Sequence, residues 1–236
     1  MDVPKADQLP FYDVLKVRQG YRNRPNALTQ DQIKSLFEAI DRSTILGIRD
    51  YAVYALMYHT GLRVGEVHSL NLESIDLDNQ KITVVGKGNK IRQLHLTNEL
   101  CQILSEYLAV RHFFCNIENN PALFVSKKGN RLAIRTIEDN INKIIEKADL
   151  NTRFNVTCHT LRHSFASHLN DSDVDILVIQ SLLGHSSSRS TEPYIHPSMD
   201  KIREAMEKLP SVMYMKQLLK EGVLNLKFQT NRSKRE

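Results

Sequence analysis

The stretch Cys158-His159-Thr160-Leu161-Arg162-His163-Ser164-Phe165 is the densest polar cluster in the chain. Read as a helix, it sets His159 and Arg162 one turn apart on a shared face. Leu161, Phe165 and Leu169 fall on the neighbouring face, so one side can be buried while the polar pair stays at its edge. Downstream, the run 173–183 repeats the helical pattern and stops at Gly184, a residue suited to the left-handed turn after a helix. That turn delivers His185, and Tyr194 follows a serine-rich loop. Upstream, a helix over 48–59 stops at Gly61, and Gly61-Leu62-Arg63 puts an arginine just past its C-terminus. A cation there also suits the helix dipole, so capping alone can account for Arg63.

The rest of the chain fits a mostly helical domain. Thr29 and Gln32 form a capping box ahead of Ile33, Leu36, Phe37 and Ile40. Residues 65–70 read as a short helical piece. The pattern then changes: 82–85 and 91–96 are β-rich runs around Gly86-Lys87-Gly88-Asn89-Lys90, a hairpin signal. Thr97 opens a helix carrying Leu100, Ile103, Leu104, Tyr107 and Leu108, and Ile137, Ile141, Ile144 and Ile145 mark another. The fold class expected is mainly α with a small antiparallel β-sheet (α+β). Residues 1–25 read as a linker or remnant, 26–210 as the domain, and 211–236 as a C-terminal helix and basic tail.

Composition narrows the function classes. The 236 residues are 41% hydrophobic and 25% charged, which excludes disorder, collagen-like repeats and coiled coil. Net charge is +5, compatible with a polyanionic partner but no proof of one. No apolar stretch is long enough to span a bilayer, and residues 1–10 lack the apolar core of a secretory signal, so a cytoplasmic protein is expected. Cys101, Cys115 and Cys158 have neither metal-ligand nor CxxC spacing. No GxGxxG or GxxxxGK[ST] string occurs, so no nucleotide site is signalled. His159, His163 and His168 could suggest zinc, but no glutamate lies between the first two, as a zinc-hydrolase helix would usually require.

The order of the polar elements carries more than any one of them. Arg63 in TGLRVGE, Lys87 in GKGNK, HTLRH at 159–163, LLGH at 182–185 and then Tyr194 resemble the tyrosine recombinase (phage integrase) family, its Xer-like and integrase members above all. The resemblance covers roughly residues 26–208. It implies the tyrosine recombinase catalytic-domain fold, with a small three-stranded sheet, acting on double-stranded DNA. It also implies a site-specific DNA recombinase (integrase) that cleaves and rejoins strands through a 3′-phosphotyrosyl intermediate, with no metal, ATP or other cofactor. The alternative is a non-recombining DNA-binding protein on the same fold.

By resemblance, Tyr194 is the nucleophile, Arg63 and Arg162 clamp the scissile phosphate, and His159 is the general acid/base partner. His185 then donates to the phosphate, and Lys87 protonates the departing 5′ oxygen. These residue types suit the chemistry. A phenol needs local cations or a base to attack near neutrality, and guanidinium forks match phosphate oxygens better than ammonium groups do. Lys90 and Arg92, in the basic run 81–92, are expected to touch DNA backbone, and Lys90 competes with Lys87 for the acid role. Pro193 precedes Tyr194, which is unusual for the motif and confines Glu192 to extended geometry. With some 25 residues ahead of the domain, the chain is expected to be a monomer that recombines poorly unaided and a tetramer on paired DNA sites. The apolar stripe Val212, Met215, Leu218 and Leu219 could dock on a neighbouring protomer or pack on its own domain.

Overall fold

A helix that is apolar on every side belongs in the middle of a domain, and α2 (Ile45–Thr60) is that helix: it is buried continuously from Tyr51 to Thr60. The computed structural model describes residues 26–114, 120–184 and 198–212. The Thr44 hydroxyl accepts from the Gly47 N–H at 3.0 Å, which starts α2 three residues ahead of the apolar run at 48. Gly61, at φ +64°, ends it.

Around α2 lie α1 (Gln30–Glu38), α3 (Val64–Ser69), α4 (Asn98–Arg111), α5 (Ile134–Ala148) and α6 (Cys158–Asp171). Both hydrogen bonds of the Thr29–Gln32 capping box are present, at 2.9 and 3.2 Å. On α5 the buried face is Ile137, Ile141 and Ile144. Helix α7 (Ile176–Leu183) begins later than the run from 173 suggests, because Asp175 rather than Asp173 caps it, accepting from the Leu177 N–H at 2.7 Å. The last described helix is α8 (Met199–Glu207), capped by Ser198, which the sequence reading did not single out.

The sheet, in the order β1-β2-β3 and antiparallel throughout, comprises β1 (Ile75–Asp76), β2 (Lys81–Val85) and β3 (Ile91–His95). Val84 pairs with Arg92 and Val85 with Ile91, next to a tight turn over Lys87–Asn89 in which Gly88 takes φ +74°. Ile82, Val84 and Leu94 face the core. A mostly helical domain with one small antiparallel sheet is thus what the sequence predicts and the structure shows.

Both ends of the described domain are pinned. The Leu28 N–H donates to Ser164 and its carbonyl accepts from His168, at 2.9 Å each, so α6 holds the chain's point of entry. Val212 is buried on its own domain: its N–H donates to Glu99 at 2.8 Å and its carbonyl accepts from the Tyr51 hydroxyl at 2.6 Å. Met215, Leu218 and Leu219 lie outside the described residues, as do the N-terminal segment and basic tail. No helix among the described residues is long and apolar enough to cross a membrane.

Candidate active site

Arg162 is the buried centre of the site. Its α6 position aims the guanidinium at the ends of two other helices, where it donates to the Gly61 carbonyl and, at 2.7 Å, to the Leu183 carbonyl. These carbonyls belong to the C-terminal turns of α2 and α7, where backbone partial charge is negative and a cation is favoured. Each turn is closed by a left-handed glycine, Gly61 at φ +64° and Gly184 at φ +63°. Burial, and then the neighbouring charge of Arg63, lower the Arg162 pKa to about 9, which leaves it charged at neutral pH.

Arg63 is held differently. It immediately precedes α3, and its backbone N–H donates to the Glu66 carboxylate at 2.9 Å. Its guanidinium reaches the same carboxylate at 3.4 Å. Glu66 is buried and takes a stronger pair of hydrogen bonds from Arg92 across both oxygens, at 3.0 and 2.9 Å. Burial pushes the Glu66 carboxyl up, but the Arg92 hydrogen bonds, the Arg63 N–H and the nearby charges of Arg92 and Arg162 hold it below its ordinary value. Glu66 closes the TGLRVGE string, where the motif alone assigns it no role. Its spacing of three residues from Arg63, one helical turn, was the available signal.

His159 completes the described group. Burial, then Arg162 and Arg63, lower its pKa, so its imidazole is neutral at pH 7 and able to accept a proton. His163 packs edge-on against it, with ring centroids 4.5 Å apart at 89°. Arg63, His159 and Arg162 line one cleft of about 630 Å³, and Arg135, Glu138 and Asp139 of α5 line it too. His168, the third histidine of the zinc alternative, has both ring nitrogens engaged, by the Tyr58 hydroxyl at 2.8 Å and the Leu28 carbonyl. Among the described residues no cluster of three or more His, Cys, Asp or Glu suited to a metal occurs.

His185 and Tyr194 lie outside the described residues, and so does the side chain of Lys87. Lys90 is exposed beside the hairpin turn, whereas Arg92 is turned inward onto Glu66. The described tyrosines are all structural. Tyr51, Tyr54, Tyr58 and Tyr107 are buried, with hydroxyls hydrogen-bonded to Val212, Ile137, His168 and Leu123. The tyrosine nucleophile that the resemblance implies therefore has four candidates outside the described residues, Tyr12, Tyr21, Tyr194 and Tyr214.

Comparison with known proteins gives this cluster its context. Residues 26–201 match the model of the phage integrase family, a span that holds Tyr194 and none of the other three candidates. The chain is 37% identical over 188 residues to tyrosine recombinase XerC of Alcanivorax borkumensis, covering 79% of this chain and 60% of that one. It is 36% identical over 201 residues to XerC of Haemophilus influenzae, covering 84% and 65%. Its fold resembles that of XerA recombinase, with a TM-score of 0.62, 33% identity and coverage of 85% of this chain and 73% of that one. It also resembles the XerH site-specific recombinase in a pre-cleavage complex with its difH substrate, with a TM-score of 0.61, 25% identity and coverage of 88% and 56%. The chain spans under two thirds of the length of these XerC relatives. A family match across most of the chain, on the fold and with the arginine-histidine cleft described above, establishes that the chain belongs to the phage integrase family of tyrosine recombinases.

Proposed function

We propose that this chain is the catalytic part, residues 26–210, of a site-specific recombinase that breaks and rejoins double-stranded DNA without a metal or ATP. One observation carries the reading: Arg63, His159 and Arg162, far apart in sequence, meet in one cleft large enough for a phosphodiester. The cleft lining carries the guanidiniums of Arg63, Arg135 and Arg162 against the carboxylates of Glu138 and Asp139, while the nearby Glu66 is paired with Arg92. That surplus of positive charge in a partly dry site favours the extra negative charge of a pentavalent phosphorus.

In this reading the Tyr194 oxygen attacks the phosphorus as its proton passes to His159. The P–O bond to tyrosine forms as the P–O5′ bond breaks, and Lys87 gives the departing oxygen its proton. Arg63, Arg162 and His185 hold the non-bridging oxygens throughout. The energy of the broken bond is kept in the phosphotyrosine, so attack by a 5′ hydroxyl reverses the step on a new partner strand. Lys90 binds DNA backbone beside the hairpin, and four copies assemble on paired sites, one active site for each strand exchanged.

The test is covalent trapping. Duplexes selected by the protein from a random pool are re-made with a nick close to each scissile position, so that the released fragment diffuses away. The chain should become linked to a 3′ phosphate end, peptide mapping should place the link on Tyr194, and Tyr194→Phe should bind DNA without forming the adduct. Binding with no adduct from the unaltered chain would leave a DNA-binding protein on a recombinase fold.

A further inference from the structure

We propose that Arg92 is a positioning residue for strand cleavage, which ties the hairpin bearing Lys87 and the turn before His185 to the phosphate-clamping arginines. The proposal rests on the functional reading above and goes beyond it by giving Arg92 a part inside the protein in place of a contact with DNA backbone.

Three elements meet at this side chain. Through Glu66 it reaches α3 and Arg63: both oxygens of the carboxylate accept from Arg92, while the Arg63 N–H donates to one of them. At α7 it lies directly against the closing turn. A Cβ built on Gly184 would stand 2.9 Å from the Arg92 Cζ and Nη1 and 3.1 Å from its Nε. That turn carries the Leu183 carbonyl that accepts from Arg162, and its next residue is His185. At the hairpin neck a Cβ on Gly86 would come within 3.3 Å of Nη1, and the residue after Gly86 is Lys87. Glycine at 86 and 184 thus leaves room for a planar guanidinium between the two turns, and Glu66 fixes its orientation. The Arg92 side chain is only 15% exposed, and the Nε is buried. A shift of about 1 Å in such a supporting group costs on the order of a hundredfold in rate.

A lysine could keep the charge but not span both carboxylate oxygens, which separates geometry from electrostatics. Single-turnover cleavage of the nicked duplexes is therefore compared for the unaltered chain, Arg92→Lys, Arg92→Gln and Glu66→Gln, alongside DNA affinity over a range of salt. Arg92→Gln should cleave roughly 10–100-fold more slowly, Arg92→Lys should fall between it and the unaltered chain, and DNA affinity and its salt slope should hold. The double variant Glu66→Gln with Arg92→Gln should be no slower than the slower single, because both changes break one linkage. A salt slope lowered by about 0.9 in Arg92→Gln would show a phosphate contact and overturn the proposal. So would unchanged cleavage in Arg92→Gln, or fully additive losses in the double variant. If the unaltered chain itself forms no adduct, the recombinase reading fails, and this role for Arg92 fails with it.

Discussion

Gly61 and Gly184 have nearly the same backbone conformation and different neighbours, so alanine at each should fail in a different way. Alanine at φ near +64° is strained by roughly 1–2 kcal/mol at either position. At Gly61 the new Cβ would also lie 2.6 and 2.8 Å from two ring carbons of Phe165, a fully buried side chain with no room to withdraw. Overpacking of that kind adds about 1–3 kcal/mol, so Gly61→Ala should cost roughly 2–5 kcal/mol in all. For a domain of this size that is a fall in Tm of about 4–20 °C. At Gly184 the obstacle is the Arg92 guanidinium, the far end of a flexible side chain, which can swing away from Glu66. Gly184→Ala should therefore lose little more than the strain, on the order of 2–8 °C, and lose more cleavage than its stability explains. Thermal melting by circular dichroism, with single-turnover cleavage measured well below both transitions, reads the two effects apart. A Gly61→Ala protein melting no lower than Gly184→Ala would refute the packing argument, since the backbone strain is common to both.

Three further outcomes follow from buried or crowded charges. His59 is fully buried, neither ring nitrogen has a hydrogen-bond partner, and burial lowers its pKa from 6.5 to about 4. No pH-dependent cost arises above pH 6.5, and stability is lost as pH falls toward 4 because the unfolded chain takes the proton first. Between pH 7 and 5 this amounts to about 2 kcal/mol, which urea unfolding should register and His59→Leu should abolish; an unchanged pH slope would sink the assignment. Arg162→Lys should slow cleavage about 10²–10³-fold with DNA affinity retained, because one ammonium cannot hold two helix ends and a phosphate; near-normal cleavage would count against the clamp. The His159 ring should titrate below the ordinary imidazole value by NMR, and Arg63→Gln should move its midpoint upward by removing a neighbouring positive charge. A midpoint that stays put would place Arg63 away from His159.

Local signals account for what could be read in advance. The Thr29 box and the glycines at 61 and 184 act on the residues beside them, so the ends of α1, α2 and α7 were legible. The start of α7 was not, since Asp173 and Asp175 are both plausible caps and only the chain's return from α6, with the Val174 N–H on the Leu169 carbonyl, decides between them. Strand β1 has two residues and exists because β2 is there to pair with it, a relation no local pattern announces. Arg63, His159 and Arg162 could be chosen by motif order, but the carbonyls that hold Arg162 come from turns 101 and 21 residues away. Two-residue alternation from the buried Leu94 puts Arg92 on the inward face of β3, opposite buried Val84, a placement that the basic composition of 81–92 does not reveal.

In the proposed phosphate clamp a carboxylate stands beside the arginines, and its partners decide how far it neutralises them. A phosphate clamp works only if its arginines keep unspent charge and free donors, yet a buried arginine needs partners to be stable at all. Arg162 meets part of that need with two backbone carbonyls, which satisfy N–H groups and carry partial charge only. Arg63 has a full negative charge nearby in Glu66, but that charge is already taken. Arg92 occupies both oxygens at 2.9 and 3.0 Å, and the Arg63 guanidinium gets only a 3.4 Å contact. The Arg63 side chain is 43% exposed against 15% for Arg92, so of the two partners the inner one neutralises Glu66 and the outer one faces the cleft. Removing Arg92 would not merely loosen a turn. It would release the carboxylate to draw Arg63 inward, away from the place where a phosphate would lie.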